Sequence, residues 1–245
     1  MSATKTATHW DELTEAYDPV MSSDPAYRSL LKAIVGRLQS PRRILDLGCG
    51  TGALTQLCHR FFPEASIVGL DPALKMLEQA RSRITDRNIT FVEGTAANLA
   101  AFPSGSFDAV VSNFALHHLS HDNKKVCARE VMRVLQPGGI FVNGDQHCAV
   151  MGDVNDPQRI LETLDLLTNK ARYYFLNAGI NRMLLQLQLL PRFISQDGEI
   201  LATPEFWVAA LDSAGFTQVE IDVIEPAALM NRVISGVRPA EQGIG

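Results

Sequence analysis

Short apolar runs alternate with amphipathic stretches along most of this 245-residue chain, and this alternation constrains its fold more than any other feature. The apolar runs are short enough to be buried strands, and the stretches between them have helical periodicity. Strands joined through helices run parallel, because each crossover returns the chain to the same end of the sheet. The sequence QPGG (136–139) predicts a turn from the last of these helices into the fifth strand. The predicted strands are 43–47, 66–71, 89–94, 107–113 and 139–145, and the predicted helices are 52–62, 73–84 and 122–136.

The C-terminal part of the chain predicts a different kind of connection. Two apolar runs, 218–226 and 229–237, are only a few residues apart, and so short a link cannot hold a crossover helix. We therefore expect them to pair antiparallel as a hairpin. A helix from Thr203 to Ala214, with Thr203 as its N-cap before Pro204, is predicted to lead into this hairpin.

Residues 148–200 interrupt the alternation, because they have helical periodicity and no strand pattern. We interpret them as two helices inserted between the fifth strand and the final helix. Since the segment leaves the carboxyl end of a strand, it should overhang the crevice in which open α/β sheets bind ligands. A lid or substrate-binding role and a packing or homodimer role both stay open. The chain is thus interpreted as one domain (1–245) with an N-terminal helical cap (1–40), a ligand-binding core (41–147), this insertion (148–200), and a final helix and hairpin (201–238).

The charge and the cysteine spacing argue against several classes of function. The formal net charge is −5, so no global positive field would attract nucleic acid or an anionic membrane. The four cysteines have no CxxC spacing, which favours a reducing compartment over a disulfide framework or a zinc knuckle. No apolar run approaches the length of a membrane span, and the N-terminus has no apolar signal region. We therefore expect a cytoplasmic protein.

A glycine-rich turn, GCGTGA (48–53), follows the first predicted strand and precedes its helix. It matches the pattern G-x-G-x-x-G/A, in which backbone N–H groups approach a ligand closely at a helix N-terminus. Asp71 ends the second strand, where a carboxylate can accept hydrogen bonds from both hydroxyls of a ribose. Both features suit NAD, FAD and S-adenosyl ligands alike.

Two further observations separate these ligands. Asp46 lies two positions before the first glycine, in an otherwise apolar strand. A buried carboxylate is costly unless a cationic or hydrogen-bonding group meets it; the amino group of a methionine moiety would do so, whereas a pyrophosphate would be repelled. The chain also lacks the Tyr-x-x-x-Lys pair of a dehydrogenase, since neither Tyr173 nor Tyr174 is followed by a lysine at that spacing.

Four segments, in this order, resemble the class I S-adenosylmethionine-dependent methyltransferases of the small-molecule type. The resemblance implies a Rossmann-like, seven-stranded, mostly parallel sheet with a C-terminal antiparallel hairpin, and S-adenosylmethionine as cofactor. The segments are ILDLGCGTGAL (44–54), IVGLDPALKMLEQAR (67–81), FVEGTAANLAAFPSGSFDAVVSNFALHHL (91–119) and EVMRVLQPGGIFV (130–142).

The resemblance also implies a cofactor site on these segments. Its residues would line the methionine and sugar (Asp46, Gly48, Gly50, Gly52), hold the ribose hydroxyls (Asp71) and contact the adenine (Pro72, Met76, Thr95, Ala96).

Three details of that implied site concern single positions. Thr95 stands where relatives commonly carry an acidic residue for the adenine amino group, so a hydroxyl would make this contact instead. Asn113, at the end of the fourth strand, should lie near the sulfonium. Trp10, Asp11 and Tyr17 match the spacing of an N-terminal segment that closes over the cofactor in many relatives, with Tyr17 as a cofactor contact.

On the acceptor side, histidines and a carboxylate follow the fourth and fifth strands: His117, His118, Asp145 and His147. A base assists methyl transfer when the nucleophile is a hydroxyl, a thiol or an acidic carbon, and His118 and His147 are the candidate catalytic bases. Paired histidines are frequent in relatives that act on different substrates, so a structural role stays open. No metal is expected, because no carboxylate cluster of metal-ligand spacing accompanies His117, His118 and His121.

We predict that the chain transfers a methyl group from S-adenosylmethionine to a small molecule whose acceptor atom (O, N, S or C) stays open. The expected partners are this small-molecule substrate and a second copy in a homodimer, with no nucleic acid and no membrane. One alternative is a module that binds S-adenosylmethionine without turnover. Another is a different reaction of this cofactor on the same fold, such as a cyclisation, and a nicotinamide dehydrogenase is a more distant one.

Overall fold

The computed structural model describes residues 18–240, and its centre is one mixed sheet. The strands are β1 (Arg43–Leu47), β2 (Ser66–Asp71), β3 (Ile89–Glu93), β4 (Phe107–Asn113), β5 (Leu135–Gln146), β6 (Thr217–Val223) and β7 (Asn231–Val237). They form a seven-stranded sheet of order β3-β2-β1-β4-β5-β7-β6. Strands β1 to β5 pair in parallel, and β7 is antiparallel to both β5 and β6. The predicted α/β fold and its C-terminal hairpin are confirmed.

Helices cover both faces of this sheet. They are α1 (Pro25–Gly36), α2 (Ala53–Phe61), α3 (Leu74–Arg83), α4 (His121–Val134), α5 (Pro157–Ala178), α6 (Ile180–Ser195) and α7 (Pro204–Ala214), and residues 18–23 are also helical. Successive strand residues point to opposite faces. Ile44 accordingly joins an apolar cluster with Ile34 of α1, whereas Leu45 joins a second cluster with Val131 of α4 and Trp207 of α7. Both faces of the sheet are therefore buried, as a parallel sheet requires.

The junction between α4 and β5 differs from the predicted turn. Helix α4 ends at Val134 and β5 begins at the next residue, so residues 136–139 lie within the strand. The pairing of β5 with β4 shifts register there, because a β-bulge accommodates the proline and the glycines. Arg238, just after β7, donates hydrogen bonds to the carbonyls of Met132 and Arg133 and so caps the last turn of α4.

The segment 148–200 contains two helices, α5 and α6, which pack against each other. Arg159, buried near the start of α5, joins their ends. Its guanidinium donates to the carbonyls of Val154 at 2.7 Å, Ile194 at 2.6 Å and Phe193 at 3.3 Å. The two helices are therefore held together as one unit.

Hydrogen bonds join this unit, and the segment that follows it, to the carboxyl edge of the sheet. Nζ of Lys170 on α5 donates to Oε1 of Gln146 at 2.9 Å, and the N–H of Ile200 donates to the carbonyl of His117 at 2.9 Å. The outer surface of the two helices exposes apolar side chains such as Leu176; whether they contact a second copy stays a prediction. No helix within residues 18–240 is both long and apolar enough to cross a membrane.

Candidate cofactor and acceptor site

One cleft at the carboxyl edge of the sheet gathers most of the residues predicted for the site. Two of the predicted residues lie elsewhere in the structure: Gly52 caps α2 behind the lining, and His147 is buried away from it. Tyr17 lies outside the described residues. The predicted residues that line the cleft are Asp46, Gly48, Gly50, Asp71, Pro72, Met76, Thr95, Ala96, Asn113 and His118.

The turn after β1 contains glycines for two different physical reasons. Gly50 has φ +52°, and a Cβ added there would meet no atom within 4 Å, so the backbone borders open space. Gly52 has φ +87°, and a Cβ there would lie 2.6 Å from Cδ1 of Ile84. Gly50 therefore leaves room beside the cleft, while Gly52 allows the turn to pack closely against Ile84.

Asp71 ties this turn to the end of β2. One carboxylate oxygen accepts from the N–H of Gly50 at 2.8 Å, and the other accepts from the N–H of Ala73 at 2.8 Å. A carboxylate only accepts hydrogen bonds, which suits it to the two hydroxyls of a ribose. The carboxylate is thus held rigidly at the cleft wall in an orientation that a diol can use.

Asp46 is buried at the bottom of the cleft with one unsatisfied oxygen. Its Oδ2 accepts from Oγ1 of Thr55 at 2.6 Å, and its Oδ1 has no hydrogen-bond partner within residues 18–240. Burial raises the pKa of Asp46 to about 7 against the lowering effect of the Thr55 bond, and the charge of Asp71 adds to the rise. A cationic amino group would satisfy Oδ1 and stabilise the carboxylate form, so this position fits the methionine end of S-adenosylmethionine.

Two other parts of the lining, and a contact beside it, complete this end of the cleft. Oδ1 of Asn113 is buried without a hydrogen-bond partner in the described chain. After β3, the N–H of Asn98 donates to the carbonyl of Thr95 at 3.0 Å, which forms a tight loop whose residues Thr95 and Ala96 face the cleft. Asp18, directly after Tyr17, accepts a hydrogen bond from Thr51 in the glycine turn. The described part of the chain therefore begins beside the glycine turn.

A cluster of buried polar side chains lies behind the opposite end, where His118 lines the cleft. His117 and His118 lie on a short 3-10 turn after β4, Asp145 near the end of β5, and Glu199 after α6. Nδ1 of His117 donates to Oδ1 of Asp145 at 2.6 Å, and its Nε2 lies 3.2 Å from Oε2 of Glu199. Glu199 was missed by the sequence analysis: it follows Gly198, 80 residues beyond His118, and no motif links the two segments.

The two adjacent histidines have opposite electrostatic environments. Burial by itself would lower the pKa of His117, but Asp145 and Glu199 raise it to about 9. Burial and the neighbouring charge of His117 lower the pKa of His118 to about 4. Nδ1 of His118 donates to the carbonyl of Gly198 at 2.7 Å, and both residues line the cleft. His118 is therefore a neutral imidazole at neutral pH, beside the position expected for an acceptor.

His147, the second candidate base, is directed away from this position. Its backbone N–H donates to the carbonyl of Met230 at 2.9 Å, and Nδ1 of its ring donates to the carbonyl of Asp145 at 3.1 Å. Burial lowers its pKa to about 4. It is fully buried and contacts Asp145, but it does not line the cleft with His118.

Behind the histidine cluster lies a second, smaller cavity under the insertion. Its wall includes His117, Gln146, Arg182 and Glu199. The guanidinium of Arg182 stacks on the ring of Tyr174 at 3.6 Å. The cavity measures about 30 Å³, enough for about one water molecule and too small for an organic acceptor. In this conformation, the space for an acceptor is therefore the cleft itself, beside His118.

Comparison with known proteins identifies the family. A family model described as "Methyltransferase domain" matches residues 44–139. Over 108 residues the chain is 37% identical to trans-aconitate 2-methyltransferase from Rhodopseudomonas palustris, a match that covers 42% of this chain and 38% of that protein. Over 138 residues it is 35% identical to demethylmenaquinone methyltransferase from Thermotoga maritima. This match covers 54% of this chain and 58% of that protein.

A solved structure extends the similarity over nearly the whole fold. The S-adenosylmethionine-dependent methyltransferase from Mesorhizobium loti superposes with a TM-score of 0.60 at 25% identity, covering 87% of this chain and 98% of that one. The family-model match contains the glycine turn, Asp46 and Asp71. Together these comparisons identify residues 44–139 as a methyltransferase domain of the class I S-adenosylmethionine-dependent type, whose cofactor is S-adenosylmethionine.

Proposed function

We propose that this protein transfers a methyl group from S-adenosylmethionine to a small organic acceptor. One observation carries the proposal: the buried, unsatisfied Oδ1 of Asp46 and the imidazole of His118 belong to opposite ends of the same cleft. A cofactor amino group at the first position leaves the second end for the acceptor.

At the cofactor end, the residues bind and orient. Bound S-adenosylmethionine supplies a methyl group on a sulfonium, which is already activated for displacement. Asp46 would hold the amino group, and Asp71 would hold the ribose hydroxyls. Pro72 and Met76 would pack on the adenine, with Thr95 and Ala96 at its edge. Fixing these groups aligns the methyl with its acceptor, which is the main catalytic requirement of an in-line transfer.

At the acceptor end, His118 and Gly198 would border the acceptor. Because His118 is neutral at neutral pH and its Nδ1 donates to Gly198, its Nε2 is the nitrogen that can accept a hydrogen bond from an acceptor hydroxyl. The insertion covers this side of the sheet edge and would exclude water from the transfer. We do not assign the base role to His147, since it lies outside the cleft.

A small-molecule acceptor agrees with the charge of the chain and with its relatives. The net charge of −5 does not favour nucleic acid. The relatives compared above are named for trans-aconitate and demethylmenaquinone, both small organic molecules. The chain matches only part of those proteins, so their substrates are guides to a screen and not assignments.

The test has two stages on the full chain. Calorimetric titration with S-adenosylmethionine is expected to give binding that is weakened in Asp46→Asn and in Asp71→Ala, and unchanged in Asp165→Asn, an exposed residue of α5. Methyl-labelled cofactor is then incubated with a panel of carboxylic acids, phenols, amines and thiols. Binding without turnover on a broad panel would support the non-catalytic module, and the absence of binding would refute the proposal.

A further inference from the structure

We propose that His117, His118 and Glu199 form a binding site for a divalent transition-metal ion at the acceptor end of the cleft. The donor atoms that these residues offer lie within 4.8 Å of one another. Nε2 of His117 is 3.2 Å from Oε2 of Glu199, and the two imidazole centroids are 4.0 Å apart. Ligands at about 2.0–2.2 Å from one ion are separated by roughly 3–3.5 Å, so small adjustments let the three residues share an ion.

The hydrogen bonds of the two histidines present the same nitrogen to the ion. Carboxylate and carbonyl oxygens only accept, so Nδ1 of His117 carries the proton toward Asp145, and Nδ1 of His118 carries the proton toward Gly198. Nε2 is therefore the nitrogen of each ring that an ion would bind, and binding would release the proton that Nε2 of His117 directs at Glu199. Metal-binding histidines almost always donate their other N–H to a carboxylate or a backbone carbonyl, and this cluster contains one example of each.

The backbone around the three residues is already held together. The N–H of Ile200, next to Glu199, donates to the carbonyl of His117 at 2.9 Å. Nζ of the buried Lys124 donates to the carbonyl of Ile200 at 2.8 Å and to the carbonyl of Leu119. Because both segments are fixed to each other, the donor set would lose little conformational freedom when it binds an ion.

The local charge also favours a cation. The side chains of Asp145 and Glu199 are each 1% exposed and lie on either side of the His117 ring. The nearby lysines direct Nζ to other oxygens: Lys124 to backbone carbonyls, and Lys170 to the side chains of Gln146 and Asn231. A divalent ion would place positive charge beside these two buried carboxylates.

The consequence for the substrate rests on the proposed function. Three protein ligands with an open position are typical of catalytic metal sites, and His118 borders the cleft where an acceptor would lie. With Nε2 of His118 on the ion, the acceptor's hydroxyl or enolisable carbonyl would bind the ion instead of that nitrogen. The ion would polarise this group and ease loss of its proton to water. The new bond to the methyl carbon would form as the methyl–sulfur bond breaks and S-adenosylhomocysteine leaves. The substrate class is therefore an oxygen-bearing small molecule, such as a phenol or a 2-oxo acid.

The test measures metal binding directly on full-length protein stripped with a chelator and then dialysed. Zn²⁺, Co²⁺, Mn²⁺ and Mg²⁺ are titrated by calorimetry, and the metal content is measured by mass spectrometry. We expect one ion per chain for the imidazole-preferring metals and at least tenfold weaker binding of Mg²⁺. Glu199→Gln and His118→Ala should each lose roughly tenfold or more in affinity, and Asp145→Asn about 10–100-fold, since Asp145 orients His117.

The controls keep the outcome decisive. Glu162→Gln changes an exposed glutamate on α5 and should bind the metal as the unchanged protein does. Circular dichroism and cofactor titration verify that each variant is folded. If Glu199→Gln does not fold, the cleft-facing variant His118→Ala provides the test of metal binding. The absence of stoichiometric binding, or equal binding in a folded ligand variant, would overturn the metal site. Full turnover by metal-free protein would refute its role in the reaction while leaving the proposed methyl transfer intact.

Discussion

The two ends of the cleft are constructed in different ways. At the cofactor end, partners are close in sequence: Asp46 bonds Thr55 nine residues away, and Asp71 bonds Gly50 across 21 residues. At the acceptor end, His118 bonds Gly198 across 80 residues, and Glu199 arrives from beyond the insertion. The cofactor end therefore follows from a local motif, whereas the acceptor end depends on how a long insertion returns to the sheet.

The largest expected effect is on stability, and it distinguishes Gly52 from Gly50 in the turn after β1. Gly52→Val places a β-branched residue at φ +87° against Ile84. Backbone strain of about 1–3 kcal/mol and overpacking of about 1–3 kcal/mol together predict a loss of roughly 2–6 kcal/mol in the free energy of unfolding, measured by urea denaturation.

Gly50→Ala is the contrasting change, because the added Cβ meets no protein atom. It should cost only about 1–2 kcal/mol of stability, from the left-handed backbone, yet weaken S-adenosylmethionine binding. Gly138→Ala, at φ +80° in the β5 bulge with nothing within 4 Å, is the matched control for the backbone cost. If Gly50→Ala binds the cofactor as Gly138→Ala does, the assignment of open space at Gly50 to the ligand is wrong.

Next in size is the loss of the charged contact at Asp46. Asp46→Asn keeps the shape and the contact to Thr55 but removes the negative charge. Hydrogen bonds to charged groups contribute about 1.5–3 kcal/mol, so cofactor affinity should fall roughly 10–150-fold by calorimetry. The same variant should not lose stability above pH 7, where the unchanged protein carries a buried carboxylate. A large loss of stability with unchanged affinity would mean that Asp46 serves the fold.

The dependence of stability on pH provides a second test of the role of Asp46. Burial raises the pKa of Asp46 to about 7 in the folded protein, from its ordinary value of 3.8. A raised pKa stabilises the folded state at low pH, and this contribution is lost as the pH rises through about 7. Relative to Asp46→Asn, the free energy of unfolding should therefore decrease by about 1.4 kcal/mol per pH unit between about pH 4 and pH 7. Cofactor binding should strengthen over that range, and parallel stability curves for the two proteins would contradict the shift.

The smallest expected effect compares the two candidate bases. His118→Gln should reduce turnover by about tenfold with little change in cofactor affinity, because His118 faces the acceptor. His147→Gln should leave turnover per folded molecule unchanged, because His147 lies outside the cleft. Methyl-transfer assays on both variants, normalised to folded protein by circular dichroism, check this. A turnover loss confined to His147→Gln would reverse the assignment.

Much of the fold follows from local patterns. The apolar runs predicted β1, β2 and β4 with the bounds that the structure has, and Thr203 caps α7 by accepting from Phe206 at 3.2 Å. The QPGG segment was predicted as a turn because proline and glycine favour one locally. It instead lies in a bulge of β5, where pairing with a neighbouring strand outweighs that preference.

The sequence is enough to predict the class of fold, the turn that follows β1 and most of the residues that line the cleft, because each depends on periodicity or on groups a few tens of residues apart. The acceptor end depends instead on the tertiary structure. It turned His147 into the protein and brought Glu199 to His117 and His118, supplying the carboxylate that spacing along the chain lacked. Contacts of this kind depend on the return path of the insertion, and no local preference of the chain encodes that path.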